Sequence, residues 1–205
     1  MVRLLTIALA LAAAPAAAQQ RLVLGETPTQ GVLIPPGILV GDFDATALVL
    51  NPAGLALTRG ASLVYVHTHA DRDGASGVGG DGFYLASAPV FGRVAAGLGF
   101  ELLRPPYAYR PAATSQKLAC GLAVKLAPGV SLGVTWNHLF AAAGTGLNGL
   151  DGVDVGVAWR AAAHVGFAYV GRDLNTPTVA TAAGTESLRR AHEFEMSLRP
   201  LGDDR

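Results

Sequence analysis

From residue 60 onward the chain alternates apolar and polar positions with a period of two, interrupted at intervals by turn residues. The cleanest run is Val94 to Leu103, with Val94, Ala96, Leu98, Phe100 and Leu102 on one parity and Ala95, Gly97, Gly99 and Glu101 on the other. Successive side chains of a strand point to opposite faces, so this run predicts a strand with one apolar face and one small or charged face. Leu118, Cys120, Leu122, Val124 and Leu126 repeat the pattern against Lys117, Ala119, Gly121, Ala123 and Lys125. Pro128-Gly129 reads as a two-residue turn, after which Val130, Leu132, Val134 and Trp136 alternate with Ser131, Gly133, Thr135 and Asn137. Further strands are expected at Ser62 to Thr68, Phe83 to Ala88, Val153 to Arg160, His164 to Tyr169 and Glu193 to Arg199. Loops are expected at Asp71 to Gly82, Pro105 to Thr114 (with Tyr107 and Tyr109), Ala141 to Gly152 and Asp173 to Arg189. The fold class is therefore all-β: an antiparallel meander of about eight strands.

The parities differ in chemistry as well as in hydropathy. Val, Leu, Phe and Trp occupy one; Gly, Ala and the charged residues Glu101, Lys117, Lys125, Asp154, Arg160, Glu193, Glu195 and Arg199 occupy the other. A wall with hydrocarbon outside and charge inside is what a lipid bilayer demands of a spanning barrel. The charged set, Arg199 apart, is expected to face a lumen. Short connections after Leu126 and Trp159 with long ones elsewhere fit the two unlike rims of such a barrel. Trp136, Trp159 and Tyr169 are expected near strand ends, at headgroup level. A soluble β-sandwich binding module alternates in the same way, with its apolar parity packed inward. The scarcity of Thr, Lys and Glu on the polar parity favours the membrane reading.

Residues 1–18 read as a secretory signal peptide: Arg3 is followed by the apolar core Leu4 to Ala14 and the small residues Ala16-Ala17-Ala18. That core is too short to span a bilayer as a helix, and no later apolar run reaches about eighteen residues. The expected location is the outer membrane of a Gram-negative bacterium. Residues 19–59 read as an irregular segment punctuated by Pro28, Pro35, Pro36 and Pro52, with a helical turn or two between Ala45 and Leu57 broken at Asn51-Pro52. Residues 60–205 form the barrel, read as incomplete. The last strand runs into Pro200-Leu201-Gly202 and stops at Arg205 without a terminal aromatic residue, which suggests the front portion of a longer polypeptide.

Within 41–57, the residues Asp44, Ala45, Ala47, Asn51, Pro52, Ala53 and Leu55 resemble the N-terminal element of FadL-type outer-membrane transporters, where "Asp-Ala-Ser-Ala-x-x-x-Asn-Pro-Ala-x-Leu" precedes the first barrel strand. The resemblance covers about thirty residues. It implies a hatch motif at Asn51, Pro52 and Ala53, inside a barrel that passes small hydrophobic compounds. The chain departs from that family in having about eight strands rather than fourteen. Independently of the resemblance, Asn51 is placed to cap a turn begun by Pro52.

Composition sharpens this picture. Formal net charge is zero, from 15 basic and 15 acidic residues, which argues against a general nucleic-acid binder. The single cysteine, Cys120, excludes an internal disulfide and sits on the apolar parity as a small hydrophobe. His67 and His69, with Asp71, supply too few ligands for a defined metal site, and Asp42 and Asp44 lack calcium-loop spacing. Gly77 to Gly82 resembles a phosphate loop only until the strand that follows it, and reads as a flexible hairpin loop. No nucleophile elbow is present, and no cofactor motif is read; the expected function is passage rather than catalysis. Expected partners are outer-membrane lipid and small hydrophobic ligands, with no nucleic acid. A rival expectation is a non-catalytic barrel-like domain at the front of an exported enzyme, for example a serine peptidase of the signal-peptide-peptidase type.

Overall fold

The computed structural model describes residues 29, 31–32, 34, 39–41, 43–69, 79–104, 114–142, 146–162, 164–181 and 184–198. The expected signal peptide, Asp42, Asp71, Tyr107, Tyr109, Arg199 and the terminal Pro200 to Arg205 lie outside them.

Eight strands form one antiparallel sheet: β1 (Ser62–Thr68), β2 (Gly79–Ala86), β3 (Val94–Arg104), β4 (Ser115–Ala127), β5 (Val130–Phe140), β6 (Leu150–Ala162), β7 (Val165–Arg172) and β10 (Ala191–Leu198). Each pairs with its neighbour in chain order, so the sheet is a meander, and β1 and β10 remain its two open edges. The alternation between Val94 and Leu126 resolves the registry, because a slip of one residue would turn Leu98, Leu118 and Leu122 to the wrong face. Leu98 pairs with Cys120, Glu101 with Lys117, and Cys120 with Trp136. A bulge between Lys125 and Ala127 leads into the β4–β5 turn, where Pro128 is followed by Gly129 at a φ of +75°. Proline then positive-φ glycine is the type II pattern.

Three sequence expectations change. Gly79 to Gly82 belong to β2 rather than to a flexible loop; Gly80 adopts a φ of +149° and lies so close to the backbone of Leu102 that no β-carbon would fit. β6 begins at Leu150, because the outward Asp151 and inward Gly152 continue the alternation that glycines on either side had disguised as a loop. The connection 173–190 contains a separate two-stranded hairpin, β8 (Thr178–Thr181) with β9 (Gly184–Ser187).

The segment before β1 folds onto one face of the sheet. It contains α1 (Ala47–Leu50), the extended residue Asn51 and a 3-10 helix (Pro52–Leu57), the break falling where the residue before proline is excluded from helical geometry. Leu48 and Leu55 pack with Tyr84, Ala86, Ala95, Ala119 and Ala123, while Leu39, Val40 and Ala53 pack with Ala158, Ala168 and Val170. This covered face is the inner face.

Candidate functional site

The inner face is built from the small and charged parity, and the N-terminal segment occupies it. Glycines make the approach possible. A β-carbon on Gly133 would collide with the backbone of Pro52 and Ala53, and one on Gly121 would collide with Leu48. Leu48 and Leu55 fill the space over Gly97 and Gly121. Side chains that small let a helical segment lie directly on the sheet, as larger ones would not.

The charged residues act on that segment's backbone. Glu101 accepts from the Val32 amide, and Glu195 accepts from the Leu39 amide at 2.9 Å. Thr135 donates to the Leu48 carbonyl at 2.8 Å, and Arg172 donates to the carbonyls of Val49 and Leu50 at 2.8 and 3.0 Å. Those carbonyls end α1, where helical oxygens lack partners and a cation is favoured. Arg160 donates to the Gly41 carbonyl and lies over the Phe43 ring. In the other direction, Asn51 donates to the carbonyls of Leu39 and Val157 while its own oxygen accepts from the Ala53 amide. An irregular segment cannot satisfy its backbone internally, so the wall supplies the partners.

These clamps rest on ion pairs that link neighbouring strands. Lys117 Nζ lies 3.0 Å from Glu101 Oε1 with both side chains fully buried. Arg172 pairs with Glu193 at 2.6 Å and approaches Asp154 at 3.8 Å. Asp154 accepts from Asn137 and from the Asp173 amide, and Thr29 donates to Asp173 at 2.7 Å. Burial pushes the Asp173 carboxyl above its ordinary value; the Thr29 hydroxyl opposes the rise and the Asp154 charge adds to it.

Of the residues expected to face a lumen, Glu101, Lys117, Asp154, Arg160, Glu193 and Glu195 gather on the inner face: Glu101, Arg160 and Glu195 bind the N-terminal segment, Lys117 pairs with Glu101, and Asp154 and Glu193 bind Arg172. Lys125 is half-buried near the β4–β5 turn. The expected hatch residues Asn51, Pro52 and Ala53 lie at the centre of the covered face. Around them the inner face is packed with protein rather than left as an open wet space. Sequence reading did not single out Arg172, Thr135, Asn137 or Asp173. Arg172, Thr135 and Asn137 lie on the charged parity, but Thr135 and Arg172 bind backbone carbonyls, which carry no sequence signature, and Asp173 lies beyond the end of β7.

The outer face carries the opposite chemistry. Leu98, Phe100 and Leu122 are 49%, 38% and 58% exposed, and Phe194 is 79% exposed. Val155 on the same parity is half-buried. Cys120 is also half-buried there. Aromatic pairs line this face: Tyr65 with Phe83 (ring centres 4.9 Å apart), Trp159 stacked on Phe167 (5.4 Å) and Tyr169 with Phe194 (4.9 Å). Toward the rim of the long connections the outer face turns polar. Asp81 accepts from Tyr65 and Arg104 and pairs with His67, each at 2.8 Å. His138 pairs with Asp151 at 2.7 Å, and His192 with Tyr169 at 2.9 Å. Trp136 lies within β5, because that strand continues past it through His138 to Phe140 into the polar zone. His67 binds Asp81 across the β1–β2 pair instead of acting with His69.

Comparison of the chain with protein-family profiles, with curated proteins and with solved structures finds no match.

Proposed function

We propose that this chain forms part of the wall of an outer-membrane β-barrel of transport type, with its N-terminal segment as an internal hatch and small hydrophobic compounds as cargo. One observation carries the reading: the large apolar side chains are exposed on the outer face, while the small and charged parity is buried under protein. In water such an arrangement leaves an apolar surface far larger than a monomer ordinarily exposes. In a bilayer it is the stable arrangement. β3 to β6 are 11 to 13 residues long, enough for tilted strands to cross the hydrocarbon, which takes about 9–11 residues. The four outermost strands are shorter, at 7 or 8 residues. Aromatic pairs line the apolar face, and a row of paired His, Asp and Arg bounds it on the long-connection side, as headgroup-level residues do.

A soluble sandwich accounts for the same alternation only if Leu98, Phe100 and Leu122 pack against a second protein layer, and among the described residues no such layer covers them. Cargo would pass only where the N-terminal segment moves or where further strands widen the interior, since the inner face of these eight strands is filled. The test is fractionation of the full-length chain expressed with its leader. Recovery in the outer membrane, with a β-rich circular-dichroism spectrum after detergent extraction, is expected. Recovery as a soluble periplasmic monomer would sink the reading.

A further inference from the structure

β1 and β10 end the strand order, and among the described residues each has a neighbouring strand on one side only. Neither carries the devices that ordinarily blunt such an edge. Both run in unbroken register with β2 and β7, without a bulge, and neither contains proline, lysine or arginine. Their outward side chains are apolar and barer than those of the interior strands: Leu63 is 74% and Met196 61% exposed, against 49% for Leu98. The inward Glu193 and Glu195 do not oppose pairing, because Arg172 and the Leu39 amide engage them.

The two edges match each other. Seven successive antiparallel pairings leave β10 running opposite to β1, the direction an antiparallel partner needs. The strands are 7 and 8 residues long. One register seats the whole of β1 against β10, from Ser62 opposite Ser197 to Thr68 opposite Ala191. It sets Leu63 against Met196, Tyr65 against Phe194 and His67 against His192, so apolar meets apolar and the polar row on the long-connection side stays level. It also completes an aromatic row. Phe100, Phe83 and Tyr65 are successive cross-strand partners, as are Phe194 and Tyr169. Tyr65 beside Phe194 joins them into five consecutive aromatic residues, and such cross-strand pairs are what stabilise a sheet. A shift of two residues either way keeps the faces but breaks this row and shortens the overlap.

We propose that these edges pair between two copies of the chain, β1 of each against β10 of the other, closing a sixteen-stranded barrel through two identical joints. The inference rests on the reading of the chain as a barrel wall. Within one chain the two edges do not pair. A head-to-tail contact closes when its rotation returns to the start, which for two copies is a half-turn about the barrel axis. Barrels of sixteen strands enclose more than their own side chains, so both N-terminal segments keep their seats. The partner is a second copy because the agreement in direction, length and aromatic row is an agreement of the chain with itself.

The test places cysteines at the proposed joint in the full-length chain, expressed with its leader and carrying Cys120→Ser. Tyr65→Cys and Phe194→Cys would be direct cross-strand partners, with Cα atoms about 4.5–5.5 Å apart, within reach of a disulfide. Oxidation is expected to convert the doubly substituted chain into a covalent dimer, and neither single substitution to do so. Light scattering of the unaltered protein in detergent should give the mass of two chains. A dimer formed by Tyr65→Cys alone would mean that like edges pair, and would overturn the proposal. So would a cross-linked monomer, the mark of a chain closed on itself, or a single-chain mass with no cross-link, which leaves the edges to other strands. A cross-linked dimer recovered from the soluble periplasm would keep the pairing and sink the membrane reading. An uncross-linked monomer in the outer membrane would do the reverse.

Discussion

Leu122 and Gly121 are neighbours on β4, yet they meet different surroundings. Leu122 projects outward and is largely exposed; Gly121 lies under the side chains of Leu48 and Leu55. The same contrast holds across the sheet. One face is apolar and bare, the other small, charged and covered. In water-soluble sheets the covered face is the greasy one. The comparison teaches that alternation identifies two faces but does not say which is inside; the size of the side chains does. Only a parity rich in glycine and alanine has room for a folded segment, and only charged groups among them can satisfy that segment's exposed backbone.

The contrast can be broken from either side. Lys117→Met leaves Glu101 charged and buried without its partner, and should cost about 3–5 kcal/mol of stability in denaturant unfolding. Pairing it with Glu101→Leu should recover most of that loss; failure to recover would show that the hydrogen bond from Val32 to Glu101 matters more than the ion pair. On the outer face, Leu122→Arg should cost about 2–4 kcal/mol when the protein is folded into bilayers. Near-neutral behaviour there would place Leu122 in water. Gly133→Val forces a side chain into the Pro52–Ala53 backbone and should cost about 3 kcal/mol, with the 29–58 region becoming open to protease. Asn51→Ala removes the cap on Ala53 and the links to Leu39 and Val157. It should lower stability by about 1–2 kcal/mol, read as a shift in denaturant midpoint.

Much of the fold was legible because β3 to β5 alternate without interruption, so a period-two reading finds their faces and nearly their ends. The helical break at Asn51-Pro52 was equally legible, since proline's constraint is local. The first residues of β2 were not, because Gly79 to Gly82 carry almost no hydropathy pattern. The seating of the N-terminal segment was harder still. Glu101 and Lys117 were visible as charges on one parity, but their pairing is set by registry across a connection of about ten residues, 105–114. Arg172 was hidden because what it recognises, the carbonyls of Val49 and Leu50, looks the same in any sequence. The outer polar row at His67, His138 and His192 needed the sheet's stagger before separate residues could become one boundary.

The free margins of the sheet have a consequence of their own. A closed ring of eight strands has a bore only wide enough for its own side chains. Here that bore would have to admit α1, the 3-10 helix and the turn around Leu39 as well. The segment lies on the inner face, and β1 and β10 do not pair with each other. Among the described residues neither margin has a partner strand, and hydrocarbon tolerates no bare amides or carbonyls. Any lipid-embedded form must therefore seal two seams with strands beyond these eight, so a plugged wall of this kind is by geometry an arc of a wider circle.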